Sequence, residues 1–568
     1  MRFSVQVELR RQTSWETYRC LLVVLALVTT GSRTALADPA ERPVRLAENL
    51  PREITGDPYD LSGKRIVFCN WYYVRPGFFT WKDATGKNVS SSQDPTIGPW
   101  DAQLELQDVP QGIRIAVQQA QRSGPIIPPE EPWERQGLVK GIALLHEEGK
   151  FRLWAKCTPA GGKPMPCIYE STDGLHWKRP TLNLVEYDGS TANNLLPMAP
   201  RSVFIDPTAP DSQRYKGVSI GHQISRKELE EFKRQRPDAW EHRADRGKLI
   251  FGIHGYVSPD GIVWKKLPAP LVIEHSDTDI VADYDLRRKK YVLYTRNFFV
   301  GPQSHGVPAD PSLKSWLGDM GGAGRRAIGR SESRRFDAFP LSKLLMIPDS
   351  EMLPSESLYT NCKTTIPGAP DQQLMFPAVW DISKDTTKIV MASSHDGEIW
   401  NFVPGGAVLE TASFGQWDGG CLFAFPNLVE LPDGSFVLPY SGYNVPHKYP
   451  RGQWKYQIGY AVWPKGRIVA LEAAEHGEFA TVRIMPPGRK LLINAVTERA
   501  GSIRVEVADR NGQPLAGRTF DDAQPIQGDQ YRSTVAWRDA DDLGYAQGQP
   551  IIMRFRMNRA KIFALEFE

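Results

Sequence analysis

The chain has 568 residues, which is too long for one ordinary domain and predicts two or three. Its 69 Lys and Arg residues and 66 Asp and Glu residues leave a formal charge of only +3. There is no basic stripe, which argues against nucleic acid as a partner. Aromatic residues at 10%, with 48 Gly and 45 Pro, favour a turn-rich β protein over a helical one.

The N-terminus has the features of a secretory signal. A basic region precedes an apolar run from Leu21 to Val28, and Ala35-Leu36-Ala37 forms an A-x-A cleavage pattern before Asp38. The apolar run is too short to cross a bilayer, and no later segment is apolar enough. We therefore expect residues 1–37 to be a signal peptide. The mature protein is predicted to be secreted or periplasmic, with no membrane span.

Export leaves five cysteines, an odd number. Cys157 and Cys167 flank a segment whose Gly-Gly and prolines would let two strand ends meet, so a local disulfide and two thiols are equal alternatives. The other three are predicted to be buried thiols: Cys69, Cys362 and Cys421. No C-x-x-C or His-rich spacing indicates a structural zinc. We predict no cofactor and no catalytic metal, and leave a structural Ca²⁺ open.

The motif S-x-D-G-x-x-W occurs at residues 171–177, 258–264 and 394–400, and a degraded copy ends at Phe336. The copies lie roughly 60 to 90 residues apart, a period typical of repeated blades. Asp-Gly forms a tight turn, the Ser and Asp side chains accept backbone N–H groups, and the Trp packs between neighbouring units. We interpret the motif as structural and exclude its carboxylates as catalytic candidates: Asp173, Asp260 and Asp396.

Each repeat combines an apolar strand, a polar turn, a second strand, a third strand that usually runs into the motif, and a short fourth strand. Five such units predict a propeller. After about residue 471, apolar and polar residues alternate at period two, as in a β-sandwich. We predict an all-β protein, a five-bladed β-propeller at 131–470 followed by a C-terminal β-sandwich at 471–568. Residues 38–130 are expected to pack on the propeller as an N-terminal appendage.

Two insertions interrupt the repeats. The segment from Ser225 to Arg243 is charged, with Ser225 at an N-cap position and Glu228 three residues later, which predicts a surface helix with a capping box. The segment from Val300 to Arg325 is rich in Gly and Pro. It predicts a long loop that would border a site.

These features together resemble the five-bladed propeller glycosidases. A nearer resemblance, to family 32-like glycoside hydrolases of planctomycete-type bacteria, is carried by WKRPTLNLVEYDGSTANNLL, APDQQLMFPAVWD and GYNVPHKYPRG and spans Pro132 to Glu568. It implies an oligo- or polysaccharide substrate, hydrolysed by paired carboxylates in the central funnel. The chain lacks the W-x-N-D-P-N-G, R-D-P and E-C motifs of true fructan hydrolases, so no catalytic role transfers residue for residue.

Four carboxylates are candidates for catalysis. Glycoside hydrolysis needs one carboxyl group that protonates the leaving oxygen and another that attacks or activates water. Asp277 and Asp279 lie just before the innermost strand of the third unit, at alternating positions that would face both toward the funnel. A solvated or Ca²⁺-binding acidic loop is an equal alternative. Asp418 occupies the same relative place in the fifth unit, and Glu356 lies in the segment that leads into the inner strand of the fourth.

Arg296 heads the candidates for substrate binding. It would clamp a carboxylate of an acidic substrate, with an ion pair inside the sheet as the alternative. Tyr359 and Asn361 alternate and would share a face. They and Asp371 belong to a segment that suits either a ligand surface or an ordinary connecting loop.

Two further candidates lie in the fifth unit. Trp417 would stack on a sugar ring or pack in the core, and His447 would act as a hydroxyl ligand or proton carrier unless it is a plain surface-loop residue. We therefore predict an exported carbohydrate-active protein, a glycoside hydrolase. The alternative is a non-catalytic glycan-binding or interaction propeller.

Overall fold

β-Strands are the main regular structure of the described residues, which confirms the all-β class. The computed structural model describes residues 59–61, 63, 65–89, 102–134, 139–159, 161–221, 224–245, 247–300, 324–450 and 453–568. The predicted signal peptide and most of the predicted Gly/Pro loop after Val300 lie outside the described residues. Short 3₁₀ turns are present at Trp71–Tyr73, Asp211–Gln213, His242–Ala244 and Pro464–Gly466.

The N-terminal part of the described chain supplies short strands to several sheets. These strands are β1 (Tyr59–Asp60), β2 (Arg65–Val67), β3 (Phe78–Lys82), β4 (Asn88–Val89), β5 (Gln103–Gln107), β6 (Arg114–Val117) and β7 (Gln121–Arg122). β4, β3 and β5 form a small antiparallel sheet of their own. The others pair with strands from the second half of the chain, so this segment is part of the sheets it packs on.

Three antiparallel sheets follow in chain order. Sheet I contains β8 (Val139–Glu147), β9 (Lys150–Cys157) and β10 (Met165–Ser171). Sheet II contains β11 (Ser202–Ile205), β12 (Tyr215–Gly221), β13 (Gly252–Ser258) and β14 (Lys265–Val272). Sheet III contains β15 (Val281–Asp285), β16 (Lys290–Val300), β17 (Gly324–Ser333) and β18 (Lys343–Met346).

The next two sheets complete this series. We give the name sheet IV to two four-stranded antiparallel sheets formed by β19 (Glu356–Leu358), β20 (Lys363–Ile366), β21 (Ala369–Met375), β22 (Ala378–Asp381), β23 (Thr386–Ile389), β24 (Ala392–Ser394), β25 (Asn401–Phe402) and β26 (Leu409–Glu410). Their strand orders are β19-β22-β23-β26 and β20-β21-β24-β25. Sheet V contains β27 (Cys421–Ala424), β28 (Val429–Glu430), β29 (Phe436–Tyr443) and β30 (Tyr456–Trp463), with β7 as its outer strand.

The C-terminal sheet is built from long strands. These are β31 (Val469–Ala480), β32 (Ile484–Met485), β33 (Leu491–Ala508), β34 (Asp529–Thr534) and β35 (Ile552–Phe567). The order in the sheet is β34-β33-β35-β31-β6, and β2 also pairs with β35. Period-two alternation predicted strands here, and the inward face of β33 is buried at every second residue over much of its length.

Sheets I to V contact one another in cyclic order, and sheet V closes back on sheet I. Each boundary is crossed by a hydrogen bond. Trp154 bonds to Gly261 between sheets I and II, and Tyr291 bonds to Asp206 between sheets II and III. Asn361 bonds to Tyr294 between sheets III and IV, and Thr387 bonds to Leu422 between sheets IV and V. Gly141 bonds to Ser441 between sheets V and I. Each of the five sheets is therefore bonded to the next one, and the fifth is bonded to the first.

The S-x-D-G-x-x-W motif has the structural role expected of it. In the second copy, Ser258 Oγ accepts the N–H of Gly261 at 2.9 Å, and Asp260 Oδ1 accepts the next two backbone N–H groups. Trp264 is buried and donates to the Gly261 carbonyl at 2.9 Å, and Trp154 of sheet I donates to the same carbonyl at 2.7 Å. The motif thus makes a tight turn that also joins two sheets, and the same turn bonds recur in the other two copies.

The predicted surface helix is present as α1 (Arg226–Gln235) between β12 and β13. Ser225 and Glu228 form the reciprocal capping box, with bonds of 3.2 and 2.7 Å. Leu229 and Phe232 are buried and anchor the helix on sheet II.

The disulfide alternative for Cys157 and Cys167 is wrong, because both are buried free thiols. The register of β9 and β10 pairs Cys157 with Met165 and Cys167 with Ala155, so the two cysteines are not directly opposite. The other three cysteines are buried thiols, as predicted.

Candidate functional site

Asp277, in the segment before β15, forms an ion pair with Arg296 of β16. Arg296 is only 4% exposed, and its guanidinium also lies 3.1 Å from the His275 ring and 4.7 Å from the centre of the Phe298 ring. Burial would raise the pKa of the Asp277 carboxyl, but the charges of Arg296 and Arg326 outweigh burial and the net pKa shift is downward. Asp277 is therefore a carboxylate at neutral pH, held by a buried cation.

An aromatic box lies beside this ion pair, and we define it as Tyr359, Trp380, Phe423 and His447. The Tyr359 ring centre is 5.6 Å from Trp380, 5.6 Å from Phe423 and 4.7 Å from His447. Trp454 stacks on His447 at 6.5 Å. The box draws on sheets IV and V, and it brings together two of the predicted binding residues, Tyr359 and His447.

Two cations lie over the aromatic box. The Arg326 guanidinium is 4.1 Å from the Tyr359 ring centre and 5.7 Å from Trp380, and Lys448 Nζ is 5.6 and 5.3 Å from the same two rings. Asp385 fixes this arrangement, since it accepts the backbone N–H of Lys448 at 2.5 Å and the indole N–H of Trp380 at 3.0 Å.

Strand register explains why Arg326 reaches the box. In the β16–β17 pair, Arg326 is opposite Phe298 and Ile328 is opposite Arg296. Residues two apart on a strand share a face, so Arg296, Phe298 and Arg326 all project from one face of sheet III. That face meets sheet IV, where the box rings are.

A second charged cluster surrounds Asp279. Lys140 Nζ lies 3.6 Å from its carboxylate, and Lys156 stands directly opposite Lys140 in the β8–β9 pair. Burial lowers the pKa of Lys156 to about 8, and the charges of Arg201 and Lys140 add to that effect. Asn361 donates to the backbone oxygen of Asp279 at 3.3 Å and so positions the segment rather than facing a ligand directly.

Asp418 and Trp417 lie in a different environment from the one the sequence suggested. Asp418 is fully buried, pairs with Arg122 of β7 at 2.7 Å and accepts the Tyr440 hydroxyl at 2.9 Å. Trp417 stacks on Tyr440 with ring centres 5.5 Å apart. Asp418 therefore holds the N-terminal strand on sheet V, and Trp417 packs within that sheet. Their predicted roles with substrate stay untested.

Glu356 and Asp371 are also engaged in contacts within the fold. Glu356 is 7% exposed and pairs with Lys388 of the same sheet at 2.7 Å. Asp371 accepts the hydroxyl groups of Tyr59 and Tyr73 at 2.9 and 2.8 Å, which ties the N-terminal segment to sheet IV. Of the four candidate carboxylates, Asp277 and Asp279 are the two whose side chains are partly exposed.

Most of the cations around the site were not predicted from the sequence. These residues are Lys140, Lys156, Arg201 and Arg326. The one sequence signal for Arg326 is that it lies two residues from Ile328 in RRAIGR, so the two side chains share one face of a strand. This spacing points to the site only once the register against β16 is known. The three other residues come from two sheets, and their proximity leaves no local pattern in the chain.

Within the described residues, no group of three or more His, Cys, Asp or Glu side chains is placed to hold a metal ion. The calcium alternative for the Asp277–Asp279 segment stays untested. No helix of the described residues is long and apolar enough to cross a membrane.

No protein-family model and no curated protein matches the chain. Among solved structures it is similar to the catalytic domain of a GH62 alpha-L-arabinofuranosidase from Coprinopsis cinerea, with 12% identity, a TM-score of 0.36, and coverage of 61% of this chain and 97% of the other. It is also similar to a thermostable family-43 glycoside hydrolase, with 13% identity, a TM-score of 0.35, and coverage of 59% of this chain and 92% of the other. For the GH32 beta-fructofuranosidase of Bombyx mori, the identity is 9%, the TM-score is 0.34, and the match covers 79% of this chain and 94% of the other. TM-scores below 0.5 assign no function, which has to be inferred from the site.

Proposed function

We propose that the protein is an exported glycoside hydrolase with Asp277 and Asp279 as its paired carboxylates. We further propose that sheets I to V are the blades of a five-bladed β-propeller and that the C-terminal sheet belongs to a β-sandwich. The cyclic order of contacts supports the propeller. In such a fold the inner strands line one funnel, and a site there draws on several blades.

The observation that carries this function is the accessibility of the two aspartates next to an aromatic box. The side chains of Asp277 and Asp279 are 41% and 29% exposed, whereas those of Glu356 and Asp418 are 8% and 0% exposed. Both accessible carboxylates lie on one short segment where sheets I, III, IV and V meet. Aromatic faces beside carboxylates suit a sugar ring, which presents apolar C–H faces and polar edges.

The two aspartates would take different roles. Asp277, whose pKa is lowered, suits the group that stays ionised as nucleophile or base. We assign proton donation to Asp279. Arg296 would orient the Asp277 carboxylate, and Asn361 would hold the backbone of Asp279 in place.

The Arg296–Asp277 ion pair favours a second candidate, a non-catalytic glycan-binding protein. A carboxylate that is already paired with a buried guanidinium is a weaker nucleophile, because attack would uncover the guanidinium charge. In that case the aromatic box and the cations form a recognition surface only.

The test is sugar release from a panel of polysaccharides and aryl glycosides by the mature chain, beside Asp277→Asn and Asp279→Asn. Each variant should keep its fold and lose at least about a hundredfold in turnover. Asp211→Asn, at an exposed position of sheet II, is the matched control. Release that persists in both site variants would show that other groups do the chemistry. Saccharide binding without any release would favour the second candidate.

A further inference from the structure

The site is strongly cationic for a chain that is nearly neutral overall. Its cationic residues are Arg296, Arg326 and Lys448 on one side and Lys140, Lys156 and Arg201 on the other. The carboxylates among them are Asp277, Asp279 and Asp385. This excess of positive charge converges where the proposed function puts the saccharide, and neutral sugars give no reason for it.

Arg326 is the residue that points most directly to an anion. It is only 6% exposed, and within the described part of the chain its Nε and Nη1 atoms have no hydrogen-bond acceptor. A guanidinium has five N–H donors in a planar fork, and burying it without acceptors is costly. Each edge of the fork matches two oxygens of a carboxylate or a sulfate, so such an anion would satisfy one edge of the guanidinium in a single contact.

Lys448 reinforces this reading because it approaches the same two rings as Arg326, Tyr359 and Trp380. Asp277 interacts electrostatically with both cations but is already ion-paired with Arg296, so Arg326 and Lys448 still form a region of excess positive charge that favours an anion. A sugar stacked on the box would place a ring substituent beside both.

We propose that the ligand is an acidic saccharide whose carboxylate or sulfate group is bound by Arg326 and Lys448 while its ring packs against the half-buried Tyr359. This inference rests on the proposed function and names its substrate class. The second cluster, Lys140 with its neighbours, extends the cationic surface toward sheets I and II, so the site suits a chain that carries more than one acidic residue.

Matched saccharides test the charge. Calorimetric binding to the full mature chain is compared for oligogalacturonate and its methyl ester, and for sulfated and desulfated galactan oligosaccharides. At least one acidic form should bind about tenfold or more tightly than its neutral partner, as charge-assisted hydrogen bonds are lost with the charge. The matched pair with the larger difference in affinity shows whether the site binds a carboxylate or a sulfate.

Variants test the residues. Arg326→Met and Lys448→Met should each weaken the acidic ligand toward the affinity of its neutral partner and leave that partner unchanged. Lys448 is exposed, so its variant decides the question if Arg326→Met does not fold. Arg556→Met, which removes a guanidinium that lies 4.1 Å over Phe520 in the C-terminal sheet, is the control and should change neither.

The two failures are distinguishable. Equal binding of acidic and neutral forms, with variants that affect both alike, would overturn the acidic ligand and leave a carbohydrate site standing. If no saccharide of either kind is bound or cleaved by the folded protein, the proposed function and the acidic ligand are both refuted.

Discussion

Replacing Lys156 by Met should stabilise the protein at neutral pH. Lys156 is half-buried opposite Lys140 on the neighbouring strand, near Arg201, and these surroundings lower its pKa from 10.5 to about 8. One pKa unit corresponds to about 1.4 kcal/mol, so keeping the proton in the folded state costs about 3 kcal/mol. Met fills a similar volume without the charge, and the variant should recover most of that free energy of unfolding.

The pH dependence follows from the direction of the shift. Below pH 8 the folded and unfolded states both bind the proton, so the full cost of burying a charged Lys156 is present. Between pH 8 and 10.5 the folded state releases the proton first and the cost shrinks. Above 10.5 it has vanished. The stability gap between the Lys156→Met variant and wild type should therefore be widest near pH 7 and nearly closed near pH 10.5.

Urea unfolding at pH 7 and near pH 10 measures this gap directly. The control is Lys150→Met on the same strand, because Lys150 is exposed and pairs with Glu170 at 3.3 Å. A surface pair of that kind is worth about 1 kcal/mol or less at either pH. A Lys156→Met variant that is less stable than wild type at pH 7, or a gap that stays constant with pH, would refute the electrostatic account.

Three shorter predictions concern the fold. Asp418→Asn should destabilise by about 2 kcal/mol, because it weakens the charge-assisted hydrogen bonds that Arg122 and Tyr440 donate to a fully buried carboxylate, while sugar release per folded molecule stays unchanged. Urea midpoints and activity corrected for folded fraction check this. Gly261→Ala should cost about 2–4 kcal/mol, since its φ is +75° and a Cβ would meet an indole at 2.7 Å. Gly189→Ala, with positive φ but open space, should cost only about 1 kcal/mol by thermal or urea unfolding. Alkylation of the denatured, unreduced protein should label both Cys157 and Cys167, and a protected pair in the mass spectrum would contradict the free thiols.

Local rules predicted the parts of the fold that local contacts determine. The turn at Gly261 depends on side chains within six residues, and the cap at Ser225 on one residue three positions later. Strand units were readable because period-two alternation reports which face is buried. The role of the N-terminal segment was not readable in the same way, because strands such as β7 pair with partners more than 300 residues away.

The site was harder to predict, since position in a repeat does not fix the orientation of a side chain. Asp279 and Asp418 precede the first strands of sheets III and V, yet one carboxylate is partly exposed beside Lys140 and the other is fully buried against Arg122. The difference comes from β7, which joins sheet V from the far end of the sequence and supplies the arginine. A sequence repeat predicts the backbone pattern of each sheet. The partner of each carboxylate depends on which other strand packs against that sheet.

The cost of Lys156 and the preference for an acidic ligand have one physical origin, and a single experiment couples them. If an acidic saccharide reaches the cluster around Asp279, its charge should raise the pKa of Lys156 back toward 10.5. At pH 9 the folded protein has mostly lost that proton, so binding should take up a proton from the buffer. Calorimetry in two buffers of different ionisation enthalpy would then give different binding enthalpies for wild type and equal ones for Lys156→Met. Equal enthalpies for wild type would mean that the acidic group does not reach this cluster, and the excess of cations there would need another cause.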